Sequence, residues 1–334
     1  MLPLLLQSGD PFPHFSAKTA SLRQGKAKCT MPYEESRQLL VAVYSIVFTV
    51  GVPTNFVTAV LTLIQIGRRT ITSIYLLGIS VCELMYLSTV PLWIIYVQNK
   101  HVWTMGDIPC KLTGYIFFCN IYISILLLCC VSIDRYLAVV YALESRGKRS
   151  QRIATLVTLG LFGSIAVIYC PVFFTEDVQD PDDCTCFETP LNTRLAYYNI
   201  IRFFVGFLIP FAVLLFMNYK IFQSIKVSLS LSPHQKAKVK YLAISIISIF
   251  VVCFAPYHSV LFVRSIVFLL FPDRSSQFER DIYSTTVVFL CLSTANSVAD
   301  PFIYVLASEN ARREIYQAFK ACRNRLPLTR PMIP

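Results

Sequence analysis

Acid and base stand side by side at Asp134-Arg135, at the end of a stretch that begins at Cys110 and runs for about twenty-three residues with no charge but Lys111. An adjacent carboxylate and guanidinium make no or break no covalent bond. They form an ion pair that can be opened and closed. Two further carboxyls, Glu83 and Asp300, lie inside other apolar runs, and so does a lone guanidinium, Arg202. Buried carboxyls can share a proton or hold a cation, and a buried arginine offers a two-pronged fork for a carboxylate or phosphate. Asn296 and Asp300 are four apart and share a helix face. The chain has no H-E-x-x-H, no phosphate loop and no nucleophile elbow, so its chemistry is that of binding and switching rather than of an enzyme.

The elements that must carry these groups are membrane helices. The 334 residues are 55% hydrophobic and only 15% charged, where soluble domains average about 25% charged. Seven apolar runs lie at roughly 39–66, 72–98, 107–141, 152–174, 196–226, 238–271 and 281–306, each long enough to cross a bilayer. The predicted fold is an all-α membrane protein, a seven-transmembrane helix bundle with a short amphipathic surface helix at about 308–325. Residues 1–38 read as an extracellular tail, 39–306 as the transmembrane domain, and 307–334 as the surface helix with a short cytoplasmic tail. The net charge of +11 comes from basic residues flanking the spans, which suits an anionic membrane face and not nucleic acid.

Loop charge sets orientation. The first, third and fifth connections carry Arg68-Arg69, then Arg146, Lys148 and Arg149, then Lys226, Lys236 and Lys238, whereas Asp180, Asp182, Asp183, Glu188 and Asp273 lie in the even ones. Basic loops stay cytoplasmic, so the amino end is outside and Asp134-Arg135 inside. Cys110 then sits at the outer mouth of the third helix, with Cys184 and Cys186 in the second outer loop. The oxidising compartment allows a bridge from Cys110 to either. Cys186 is the preferred partner because it precedes the short return Phe187–Leu191, and a second bridge between Cys29 and Cys184 is a weaker expectation. Cys322, beside the membrane on the surface helix, is a palmitoylation candidate.

Seven spans, the cysteine pair and IDRY at Ile133–Tyr136 resemble the class A, rhodopsin-like G-protein-coupled receptors. Asn55 in GVPTN, Pro91, Pro210, FVVCFAPY at 250–257 and DPFIY at 300–304 match in order. The runs PLWIIYVQNKHVW, FFCNIYISILLLCC, VVYALESRGKR and VVFLCLST are similar to the proton-sensing and lysolipid-responsive group, and within it to the branch answering oxidised fatty acids and N-acyl amino acids. The resemblance implies a plasma-membrane receptor that activates heterotrimeric G proteins. A seven-helix transporter or channel for a small anion or proton is the alternative, but it calls for inverted repeats or broken helices that the sequence does not display. There are departures. Phe254 stands at the usual toggle tryptophan, Phe162 at a fourth-helix tryptophan and Asn218 at a fifth-helix tyrosine. Lys236 replaces an acid that often restrains the IDRY arginine, which implies basal signalling.

Site residues follow from the resemblance. Arg135 is the expected G-protein contact, restrained by Asp134 and flanked by Tyr136, with Asp300, Pro301 and Tyr304 forming the seventh-helix switch. Asn55, Glu83, Ser124, Asn296, Ser297 and Asp300 form a buried polar cluster matching the family's sodium pocket, and its two acids suggest a proton-sensitive switch. At the outer pocket Arg202, Arg264 and Lys111 suit an anionic head group, and Tyr115, Phe118, Tyr122, Phe203, Phe254 and Tyr257 suit an acyl chain. His258 faces the same space. The plainer readings are an ion pair between Arg202 and the acidic outer loop, ordinary helix packing for the aromatics and a satisfied histidine at 258. Thr294 stands where opsins keep their Schiff-base lysine, so retinal is excluded.

Overall fold

The computed structural model describes residues 33–67, 70–142, 144–145, 149–174, 185–186, 191–228 and 231–307. The expectations for Cys29, Cys184, Cys322, the surface helix and most of both tails lie outside them. Seven helices are long and apolar enough to span a membrane: α1 (Ser36–Gly67), α2 (Thr72–Gln98), α3 (Asp107–Val140), α4 (Gln151–Phe174), α5 (Thr193–Val227), α6 (Pro233–Leu270) and α7 (Tyr283–Leu306). A short helix, Pro272–Asp281, joins α6 to α7.

Helix ends follow local chemistry. Ser150 caps α4 by accepting from Ile153 N–H, and Asn192 caps α5 by accepting from Leu195 N–H. Ser232 and Gln235 form a reciprocal capping box at the start of α6, with Pro233 where no amide is needed. α2 is interrupted at Ser88-Thr89, just before Pro91, a residue that cannot donate to the preceding turn.

Proline also explains the widest turns. Residues Arg202–Leu208 of α5 and Phe250–Phe254 of α6 are π-helical, each ending two residues before a proline, Pro210 or Pro256. The two segments meet across stacked rings, with Phe207 5.5 Å and Phe211 5.3 Å from Phe250.

α3 is the central strut. The most apolar part of α3 is 72% buried, against 22% for α4 and α5, so α3 is wrapped by protein while they face lipid. α2, α3 and α4 close on Gly78, where a Cβ would come within 3.0 Å of Leu127 and Thr158. A disulfide ties Cys110 at the head of α3 to Cys186, whose amide donates to Tyr96 Oη at 3.3 Å.

Candidate functional site

Three polar centres lie along the bundle. The first surrounds Arg202, at the start of the π-helical turn of α5 and only 7% exposed. Its Nε donates to Tyr122 Oη at 2.9 Å and its Nη1 to Asn199 Oδ1 at 3.3 Å. Its guanidinium carbon lies 4.5 Å from the ring centre of Phe118, 5.5 Å from Tyr122 and 5.6 Å from Tyr198, within cation–π reach of all three. Among the described residues, buried Nη2 has no hydrogen-bond partner and no carboxylate pairs with this arginine; the acidic outer loop weighed as its alternative partner lies outside the described residues. Tyr122 Oη also meets His258 Nε2 at 3.1 Å, while His258 Nδ1 meets the Phe254 carbonyl at 2.8 Å. Tyr169 of α4 stacks on Phe118 and Tyr122, with centroids 5.7 and 5.4 Å away.

Several other residues expected in this pocket have neighbours of their own. Arg264 pairs with Glu279 at 3.1 Å, and Lys111 with Asp107 at 2.8 Å. Tyr115 turns to α4, donating to Ala166 O at 3.0 Å. Phe203 stacks on Phe262 at 4.4 Å. Tyr257 and Phe254 are buried, the former beside Phe117 and His258 and, as expected, within electrostatic reach of Arg202, the latter edge-on to Phe250. Tyr169, Tyr198 and Asn199 were not anticipated. Asn199 could have been found, since it precedes Arg202 by three on the same face.

The second centre is the carboxyl chamber. Glu83 is fully buried and takes hydrogen bonds from Ser124 (2.8 Å), Asn296 (2.8 Å) and Ser297. Asn55 ties α1 to α7 by donating to Ser297 O at 2.7 Å. Asp300 lies within electrostatic reach of Glu83, and among the described residues no group donates a hydrogen bond to either of its buried oxygens. Asn55 Oδ1 and Asn296 Oδ1 are likewise buried without a donor. The sequence-expected cluster is therefore assembled around Glu83 and Asp300. Among the described residues there is no group of three His, Cys, Asp or Glu fit for a transition metal.

The third centre is the far end of α3. Asp134 Oδ1 accepts from Arg149 Nη2 at 2.6 Å and Nε at 3.0 Å, and Asp134 Oδ2 from Thr72 at 2.5 Å. Arg135 is 3.8 Å from that carboxylate and donates to the Thr72 hydroxyl instead. Thr72 and Arg149 were missed because neither adjoins the dyad in sequence. Next to Thr72, Ser73 donates to Gln65 Oε1 at 2.9 Å, and Gln65 Nε2 donates to Tyr304 Oη at 2.8 Å. The start of α2 thus contacts Arg135 directly and Tyr304 through Gln65 of α1. Tyr136 meets Tyr141 edge-on at 5.5 Å, and Pro301 lies inside the last helical segment of α7.

Comparison with known proteins gives this arrangement a family. Residues 54–304 match the model described as 7 transmembrane receptor (rhodopsin family). The chain is 48% identical over 329 residues to probable G-protein coupled receptor 132 of Homo sapiens, covering 96% of this chain and 85% of that protein. It is 31% identical over 297 residues to G-protein coupled receptor 68 of Homo sapiens (88% and 80% covered) and 34% identical over 291 residues to lysophosphatidic acid receptor 4 of Homo sapiens (82% and 76% covered). These relatives are receptors by name, and nothing favours the transporter or channel alternative. With seven spanning helices, the bridged α3 and a family match over three quarters of its length, the chain belongs to the rhodopsin family of seven-transmembrane, G-protein-coupled receptors.

Proposed function

We propose that the protein is a plasma-membrane receptor for an anionic lipid, an oxidised fatty acid, an N-acyl amino acid or a lysolipid, and that it signals through a heterotrimeric G protein. The amino end and Cys110 face outward, and Arg135 faces the G protein. The observation that carries this reading is the orphaned Nη2 of Arg202. A buried guanidinium with no carboxylate partner among the described residues costs free energy that an incoming anion offsets. Phe118, Tyr122, Tyr169 and Tyr198 wall the space with rings suited to an acyl chain. Phe117 and Phe118 sit where an amine receptor would need an acid on α3. One relative is named for an anionic lysophospholipid, which is consistent.

The test is G-protein dissociation in cells given hydroxylated linoleic acid, with its methyl ester as the uncharged control. Arg202→Ala abolishes the response to the acid, and the ester is weak on both receptors. An unchanged acid response in Arg202→Ala would refute the reading.

Protons modulate the same receptor through Glu83 and Asp300. The supporting observation is two buried carboxyls within electrostatic reach, one of them with no donor, which a single shared proton would satisfy. The donor-free oxygens of Asp300, Asn55 and Asn296 also suit a sodium ion, which takes oxygen ligands. If one binds, it supplies positive charge at the place where the proton would.

A further inference from the structure

Gly206 lies four residues after Arg202, inside the same π-helical turn, and its bare Cα faces the ring of Tyr122. A Cβ there would fall 2.5 Å from Tyr122 Cε1 and 3.1 Å from Cδ1. No real side chain tolerates that approach. The ring has little freedom to retreat, because Tyr169 stacks on it, the Arg202 guanidinium lies over it and His258 meets it edge-on at 5.8 Å. Glycine at 206 is therefore what lets Tyr122 lie flush against α5 with its hydroxyl between Arg202 and His258.

The hydrogen bonds on either side of that hydroxyl have one self-consistent direction. Arginine only donates, so Tyr122 Oη accepts from Nε and its own proton goes to His258 Nε2. A neutral histidine accepting at Nε2 carries its proton on Nδ1, which then donates to the carbonyl of Phe254. Phe254 is the last residue of the π-helical turn in α6. A directed chain thus runs from the guanidinium in α5, through α3, to the backbone of α6.

We propose that this chain is the coupling route of the outer site. Gly206 is its positioning residue, and Tyr122 and His258 are the relay that reports occupancy of Arg202 to the wide turn of α6. The proposal rests on Arg202 being where the anion docks. An anion that shifts the guanidinium moves the Tyr122 hydroxyl with it through the Nε bond, and the relay passes that displacement on to the Phe254 carbonyl.

The experiment uses full-length receptor in cells, with hydroxylated linoleic acid as the probe, and measures affinity by competition and maximal G-protein dissociation separately. Tyr122→Phe removes the hydroxyl and keeps the ring, and His258→Phe keeps the stack on Phe207, whose ring lies 5.1 Å away. In each, maximal response falls roughly ten-fold, more than affinity does, and the double variant is no worse than either single. Gly206→Ala gives the same pattern. If that variant does not reach the surface, the Tyr122 and His258 variants decide. Additive losses in the double variant, full response in either single, or affinity falling in parallel with response would overturn the relay. Arg202→Ala separates the two levels. Lost binding there together with full response in the relay variants sinks the relay alone, whereas unchanged binding sinks the docking reading and the relay with it.

Discussion

The carboxylate of Asp134 is held by Arg149 at 2.6 Å, not by its neighbour Arg135, which stands 3.8 Å away. The two guanidiniums compete for one acid, and the one from the connection between α3 and α4 holds it in two hydrogen bonds. Arg135 is thereby left to Thr72.

The sign of an Arg149 substitution follows. In Arg149→Ala the carboxylate is released to Arg135, which becomes better restrained, so ligand-free signalling falls several-fold. Arg149→Lys retains part of the grip and falls less. In an Asp134→Asn background Arg149→Ala has no further effect, which distinguishes competition from a direct G-protein contact. Ligand-free G-protein dissociation at matched surface expression checks all three. A rise in Arg149→Ala would contradict the competition.

Charge alone does not satisfy the outer site. Arg202→Lys keeps the cation but loses the fork and the Nε bond to Tyr122. Potency for hydroxylated linoleic acid drops by about ten-fold, an effect of ~1.4 kcal/mol. Concentration–response curves measure this directly.

The chamber at Glu83 and Asp300 makes a claim about acidity. Asp300→Asn and Glu83→Gln each fix one carboxyl in its neutral form, so the change in response between about pH 6 and pH 8 flattens in both. A pH–response curve unchanged in either variant removes protons from the account. If the site holds sodium instead, the variants lose a dependence on sodium concentration measured at constant ionic strength.

The disulfide closes a loop with a sequence separation of 76 residues. Cys110→Ser and Cys186→Ser should each cost about 2–4 kcal/mol, with the double no worse than the singles, since all three remove the same bond. Thermal unfolding in detergent measures it. Gly78→Val crowds Leu127 and Thr158 and should lower the same transition by ~1–3 kcal/mol.

Much of this was legible in the sequence, for identifiable reasons. Spanning helices are bounded by hydrophobicity over about twenty residues, a signal too long to be accidental, so the apolar runs at 107–141 and 152–174 correspond to α3 and α4 within a residue or so. Arg202 stood out because a charge in hydrocarbon is costly. Of its partners Phe118 and Tyr122 were expected beside it, but Tyr169, Tyr198 and Asn199 were not. Tyr169 comes from α4 and Tyr122 from α3, and no periodicity says which face of one helix meets which face of another. The same holds for Arg149 and Asp134, and for Arg264, whose partner Glu279 sits on the short helix after α6. The glycine at 206 carried no motif at all. Its meaning depends on a ring from another helix, 84 residues earlier in the chain.

The wide turn at Arg202–Leu208 also has an angular consequence. A helix advances by about 100° per residue, so absorbing one surplus residue swings everything upstream by roughly that angle against everything downstream. The portion of α5 that bears Asn199 and Arg202 is therefore dialled independently of the portion below Pro210. Holding all seven residues in an ordinary coil would turn the guanidinium by about that angle, away from Tyr122, whereas excising one of them would leave it facing the bundle.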